Sequence, residues 1–250
     1  MVSSVVKKYA ALCMVCLCSS LFFLGLYQFN NKYSQNIIQA ANGILALSEE
    51  ELQKSPVRFL VSGWAFYPDA LLTPEEIQDE SHYMRYLSIG EQTNFSSPAN
   101  PSPYGCGTYQ MTFFLPERKE TYALEIPEVF SAYNLYLDHD LILQMGVPAQ
   151  GTPLVQNRMV TFHGGKPVTL TIAVSNYDHF YGGIVYPPAF GTMLAVNTTR
   201  GIRFAFCLFS CTVTFVCALL SFYFSRRMKQ KNTFLFGLIC LAMGGLSSYP

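Results

Sequence analysis

The chain shows two textures of hydrophobic and polar positions. Three stretches, 9–31, 204–225 and 232–250, contain no Asp, Glu, Lys or Arg. A helix that crosses a bilayer needs about 20 mostly apolar residues. The first two stretches meet that length, and the third begins such a span. Between them, apolar residues recur in short runs separated by Gly, Pro, Asn and Asp, the texture of β-strands and turns. The pattern predicts membrane helices flanking a β-rich domain.

The first span is expected over 9–29, YAALCMVCLCSSLFFLGLYQF, after a short N-terminal segment 1–8 carrying Lys7 and Lys8. The bulky residues that follow leave no small-residue cleavage site, so the segment reads as an uncleaved signal anchor. The second span is expected over 202–224, with Arg203 placed to snorkel and Tyr223 at the opposite interface. A basic loop, 225–232, carries Arg226, Arg227, Lys229 and Lys231. The last segment, 233–250, reads as the start of a further span, and the protein is expected to continue beyond it. Lys/Arg clusters mark cytoplasmic flanks. Both clusters give the same topology: a multi-pass protein of the cell membrane with its N-terminus cytoplasmic and 30–200 outside. Seven of the eight cysteines lie in the apolar runs, and Cys106 alone lies outside them. The exterior domain must therefore hold together without an internal disulfide.

Residues 30–56 are expected to form a juxtamembrane helical stalk, because Ile37, Ile38, Ala41, Ile44 and Leu45 fall on one helical face. Ser48 and Glu51 have capping-box spacing. The exterior domain is expected over 57–197. Strands are predicted at 57–64, 109–116, 121–127, 131–138, 141–145, 157–162, 168–175, 184–186 and 189–196, with a helical turn starting at Thr73-Pro74. The clearest alternation places Val168, Leu170, Ile172 and Val174 on one face and Thr169, Thr171, Ala173 and Ser175 on a solvated other. This predicts an all-β jelly-roll sandwich combined with transmembrane α-helices, with a lipocalin-like barrel as the competing architecture.

The fragments GWAFYPDALLTPEEI, YGCGTYQMTFFLPE, ALEIPEVFSAYNLYLD and VSNYDHFYGGI occur in that order just before a span. Together they resemble the outer domain of the bacterial seven-transmembrane receptors with diverse intracellular signalling modules, over about 57–250. The resemblance implies a galactose-binding-like jelly roll followed by seven spans. It also implies signal transduction to a histidine kinase, as in a two-component system, a diguanylate cyclase or a phosphatase. No motif for any such output lies in this sequence. Where that family usually has an Asn-Gly turn, this chain has Asp138-His139-Asp140 at the reversal.

The remaining chemistry is modest. Sixteen basic and sixteen acidic residues balance, so nothing suggests a nucleic-acid partner. The loop SNYDHFYGG joins Tyr177, Asp178, His179 and Tyr181 to a glycine pair, a mixture of aromatic faces and hydrogen-bonding groups suited to a carbohydrate or another small polar ligand. The same residues would also serve as a packed turn. Trp64, Tyr133 and Asn134 are further ligand-binding candidates, Trp64 more naturally as core. Asp138, His139 and Asp140 read as a hairpin turn rather than a metal site, and no catalytic, metal or cofactor site is expected. A membrane-anchored extracellular enzyme or a carbohydrate-binding accessory module is the alternative class. Its carboxylates would be Asp69, Glu75, Glu76, Asp79 and Glu80, clustered on one short helix in the manner of a solvated face. The expected partners are the ligand, the membrane and a second copy paired through the membrane and the cytoplasmic output.

Overall fold

The computed structural model describes residues 31–33, 39–78, 82–90, 95, 102–117 and 121–247, with scattered positions between 6 and 25. The described positions of 6–25 are helical and exposed. The rest of the expected first span lies outside the described residues, as do 34–38.

Two sheets face each other. Sheet I has seven strands. β4 (Arg85–Leu87), β3 (Trp64–Pro68), β5 (Gly105–Phe114), β10 (Val168–Asn176), β7 (Ala132–Leu137) and β8 (Asp140–Met145) lie in that order, and β1 (Ile44–Ala46) runs parallel to one end of β5. Sheet II has four, in the order β2 (Val57–Phe59), β11 (Ala189–Thr192), β6 (Tyr122–Ile126) and β9 (Arg158–Phe162). Apart from β1, the pairings are antiparallel.

The core between the sheets follows from strand alternation. Trp64 and Phe66, Tyr109, Met111 and Phe113, and Leu170, Ile172 and Val174 point inward from sheet I. Tyr122, Leu124, Ile126, Val160, Phe162 and Phe190 meet them from sheet II. At the centre, Phe113 packs on Phe190 at 5.1 Å and on Phe162 at 5.8 Å between ring centroids. Tyr122 stacks on Phe190 at 5.8 Å.

Several expectations need correction. The stalk is not a single helix: Ala41–Gly43 form a bridge and turn, and 44–46 join sheet I. Leu45, Leu47 and Leu52 sit in the core, so this segment belongs to the domain. Tertiary pairing has overridden a helical apolar period here. Only the predicted capping box survives, at α1 (Glu49–Lys54), where Glu51 accepts from Ser48 N at 2.6 Å. The predicted strand 57–64 divides between the two sheets as β2 and β3. Gly63 makes the corner at φ +81°, and a Cβ there would lie 2.1 Å from the Ala40 carbonyl oxygen. Residues 184–186 form no strand, whereas β4 is an additional one. Predicted strand 189–196 stops at Thr192.

The outer face of β10 is not solvated. Thr171, Ala173 and Ser175 are buried, covered in part by two crossing segments. One carries α2 (Pro74–Ile77), where Thr108 Oγ1 donates to Ala70 O at 2.8 Å and accepts from Leu72 N at 2.9 Å. The other is a 3-10 turn at 148–150, whose Pro148 carbonyl accepts from Ser175 Oγ.

Thr192 caps α3 (Met193–Met228), a 36-residue helix that starts well before the expected span. Phe59 pairs with Ala189, just before the helix, yet the Arg203 guanidinium, almost three turns into it, lies 5.3 Å from the Phe59 ring centroid. The first turns of α3 therefore fold back over the outer face of sheet II, where Phe59, Val61 and Ala189 form a second apolar cluster and Val196 is buried. A left-handed Lys229 then turns the chain into α4 (Lys231–Ser247), which packs along α3. Among the described residues, α3 alone is long and apolar enough to cross a membrane, and α4 is a shorter apolar helix.

Replacing Phe190 by Ala removes the ring shared by the central stack. Stability should fall by about 3–5 kcal/mol, read as a lowered thermal midpoint of the detergent-solubilised chain by circular dichroism.

Candidate functional site

At one rim of the sandwich, β10 ends and the chain turns on Asn176. This side chain is fully buried. Its Oδ1 accepts from His179 N at 3.0 Å, and its Nδ2 donates to His179 O at 2.6 Å and to Pro103 O at 2.8 Å. Two residues on, Tyr181 N donates to His179 Nδ1 at 3.1 Å, which puts the ring proton of the neutral imidazole on Nε2. The loop returns through Gly182 and Gly183. Gly183, at φ +78°, donates its N–H to Ser131 Oγ at 3.1 Å. The Tyr109 hydroxyl bonds the Ile184 backbone, and burial pushes that phenol up to about 12.

This framework presents a pile of rings. Phe130, from the loop between β6 and β7, stacks on His179 at 4.7 Å and 8°. Tyr181 lies 5.7 Å from His179 and 6.0 Å from Phe130, and Phe180 meets Tyr181 edge-on at 5.5 Å. Tyr181 and Phe180 are exposed. Locally, the sequence puts hydrogen-bonding groups underneath and aromatic faces on top, so the faces are fixed before anything binds.

The seven expected ligand residues divide. His179 and Tyr181 come together. Tyr177 leaves the pile and lies against Gly151, where a Cβ would fall 2.1 Å from its ring, and it bonds the Cys106 thiol. Burial, with Asp69 nearby, raises that thiol above its ordinary range. Asp178 is exposed on the loop. Trp64 lies in the core. It is fully buried and its Nε1 donates to Leu60 O at 2.9 Å. Tyr133 is also core; its hydroxyl is buried without a partner, and burial pushes its phenol up to about 12. Asn134 points from the opposite face of β7, with Nδ2 3.4 Å from the Tyr136 hydroxyl and Oδ1 buried and unpaired. Phe130 was missed. Its only sequence signal is an aromatic residue just before a predicted strand. The glycine pair makes a close approach, but to the chain itself: a Cβ on Gly182 would meet Pro103 O at 2.0 Å.

Two of the acidic candidates, Glu75 and Glu76, are engaged structurally. Glu76 Oε2 accepts from Thr73 N at 2.8 Å as half of a capping box. Glu75 Oε1 lies 3.0 Å from His139 Nδ1, and backbone and His139 hydrogen bonds hold its carboxyl below the usual range. Asp79 and Glu80 lie outside the described residues. Asp138, at φ +52°, makes the β7–β8 turn and accepts from Thr169 N at 2.8 Å. Among the described residues, no group of three His, Cys, Asp or Glu is placed to hold a metal ion.

No family model and no curated protein matches the chain. Solved structures similar to it include a glycoside hydrolase family 2 member from Bacteroides cellulosilyticus, with TM-score 0.43 and 12% identity, over 55% of this chain and 20% of that one. The galacturonate-bound β-galacturonidase of Eisenbergiella tayi gives TM-score 0.39 and 14% identity, over 54% and 24%. A β-glucuronidase of Faecalibacterium prausnitzii gives 0.39 and 17%, over 55% and 32%. The chain thus spans at most a third of these enzymes, and a likeness at this level carries no argument about activity.

Asn176→Ala removes three hydrogen bonds of a buried amide. The expected cost is about 2–4 kcal/mol, localised to the loop. Hydrogen exchange should accelerate across 177–183 while β5 and β7 stay protected.

Proposed function

We propose that this chain is the sensory region of a bacterial membrane signalling receptor. The N-terminus is cytoplasmic, 30–200 lie outside, α3 and the first span cross the bilayer, and a kinase or cyclase output lies beyond this sequence. In this reading the two-sheet domain is a galactose-binding-like jelly roll. Its ligand, a carbohydrate or another small polar molecule, rests on the Phe130–His179–Tyr181 pile, with Tyr177 and Asp178 on the flanks.

One observation carries the reading. The loop that bears the pile also touches the segment leading from the first span: Tyr33 donates its hydroxyl to Val185 O at 2.9 Å, and the Lys32 ammonium lies 5.8 Å from the Tyr186 ring centroid. The same rim holds α3 through Arg203 and Phe59. A ligand that fits one arrangement of this loop better than another would shift both spans, by no more than its differential affinity for the two arrangements. Such coupling has a use in a receptor and none in a passive adhesion module. The anchored-enzyme alternative has no comparable support, since Glu75 and Glu76 cap or bridge structure.

The test is a screen of sugars and small polar metabolites for thermal stabilisation of the solubilised chain. The expected result is a hit whose affinity falls about tenfold, or about 1.4 kcal/mol, in His179→Ala and in Tyr181→Ala. If no compound stabilises the protein, and full-length signalling survives both substitutions, the ligand site is wrong.

A further inference from the structure

We infer that the rim carrying the aromatic loop rests in the headgroup layer of the bilayer, with Phe180 and Tyr186 inserted and Lys32 and Arg203 facing lipid phosphates. The inference rests on α3 as a membrane span and needs no ligand on the pile.

Strand direction fixes which loops share this rim. Ser175 pairs with Ala132, and Ala189 pairs with both Glu125 and Phe59. The connections at 127–131 and 177–188 therefore gather at one end of the sandwich, beside the Phe59 end of β2. Because α3 folds back along sheet II from Thr192 toward Phe59, its charge-free run, beginning at Phe204, leaves the domain at that same end. The segment after the first apolar run arrives there too. Tyr33 packs against Gly90, at a site where a Cβ would fall 2.4 Å from its ring, and reaches Val185. Burial lowers the Lys32 ammonium from its ordinary range, with Arg203 adding to the effect and Glu125 and Glu128 opposing it. Lys32 lies over the Tyr186 ring and Arg203 over Phe59, whose neighbour Leu60 donates its N–H to Pro188 O, so both cations sit on this one rim. Two apolar runs that end at neighbouring cations on one rim put that rim at the membrane surface.

The side chains there suit an interface. Phe180 is 75% exposed, Tyr181 46% and Tyr186 40%. Tyr and neighbouring cations concentrate at headgroup depth because their apolar bodies leave water while their polar ends stay in it. A Phe exposed at the tip of a loop pinned by Asn176 has no comparable reason to face bulk solvent. The opposite end of the sandwich, at the β7–β8 turn, carries Asp138, His139 and Asp140, with Glu75 against His139. It therefore presents charge where this rim presents rings.

The test places Phe180→Trp in the full chain, reconstituted in phosphatidylcholine–phosphatidylglycerol vesicles with and without brominated acyl chains. Trp64, the only native Trp, is buried and supplies a constant background in the wild-type control. Leu141→Trp, near the far end of β8, is the second control. The expected result is added emission that is blue-shifted and mostly lost in brominated vesicles for Phe180→Trp, and red and unquenched for Leu141→Trp. Red, acrylamide-accessible, unquenched emission from Phe180→Trp overturns the inference. So does blue emission insensitive to bromine that grows with the protein-to-lipid ratio, which would mean a second copy covers the loop. Retention of the chain in vesicles after carbonate washing tests the span itself. Loss there would undo the signalling reading as well, whereas a failed sugar screen would leave this inference standing.

Discussion

Everything else in this domain depends on four aromatic rings that lock the two sheets together. Phe113 from sheet I meets Phe162 and Phe190 from sheet II, and Tyr122 closes the group against Phe190. Offset rings at these separations add about 0.5–1.5 kcal/mol per pair to the area they bury. Their position matters more than that sum. Phe190 lies on the short strand that runs straight into α3, so the cluster fixes the sheets and also the point from which the long helix departs. A domain without a disulfide has few other ways to define that point so narrowly.

The rim inherits its rigidity from the same arrangement. β10 is held on both sides by β5 and β7 and is buried on both faces, so Asn176 at its end is a fixed post. The loop beyond it has little freedom left: the Asn176 amide holds its start, Ser131 and Tyr109 hold its return, and Phe130 closes over His179. What stays exposed is therefore a shaped surface. That is the condition for a weak ligand or a lipid interface to act on the fold without first paying for the ordering of a loop.

Much of this was legible in the residues. Short apolar, β-rich runs located most of the strands, though not β1 or β4, because residues that fit a half-buried sheet are a direct imprint of packing. Ser48–Glu51 and Thr73–Glu76 marked their helix starts, since capping is a local event within four residues. The largest losses came from distant partners. Ile44 and Leu45 fall on a helical face, yet β5 offers them an edge. Nothing near Ser175 announces the 148–150 turn whose Pro148 carbonyl caps its hydroxyl. The pile was half visible: His179 and Tyr181 lie in one loop, but Phe130 reaches them from almost fifty positions away, and Trp64, Tyr133 and Asn134 were drawn elsewhere by strand direction.

The early start of α3 has one more consequence. From Met193 to Met228 the helix is unbroken, about 54 Å at 1.5 Å per residue. No linker separates the sandwich from the apolar run. The domain is therefore geared to the far end of the rod rather than hung from it, and its angular setting is carried through the whole length. Each residue added or removed between Thr198 and Arg203 would turn everything downstream by about 100° about the helix axis. The sequence length of this short stretch is thus itself a dial, one that sets which face the distal end of α3 presents.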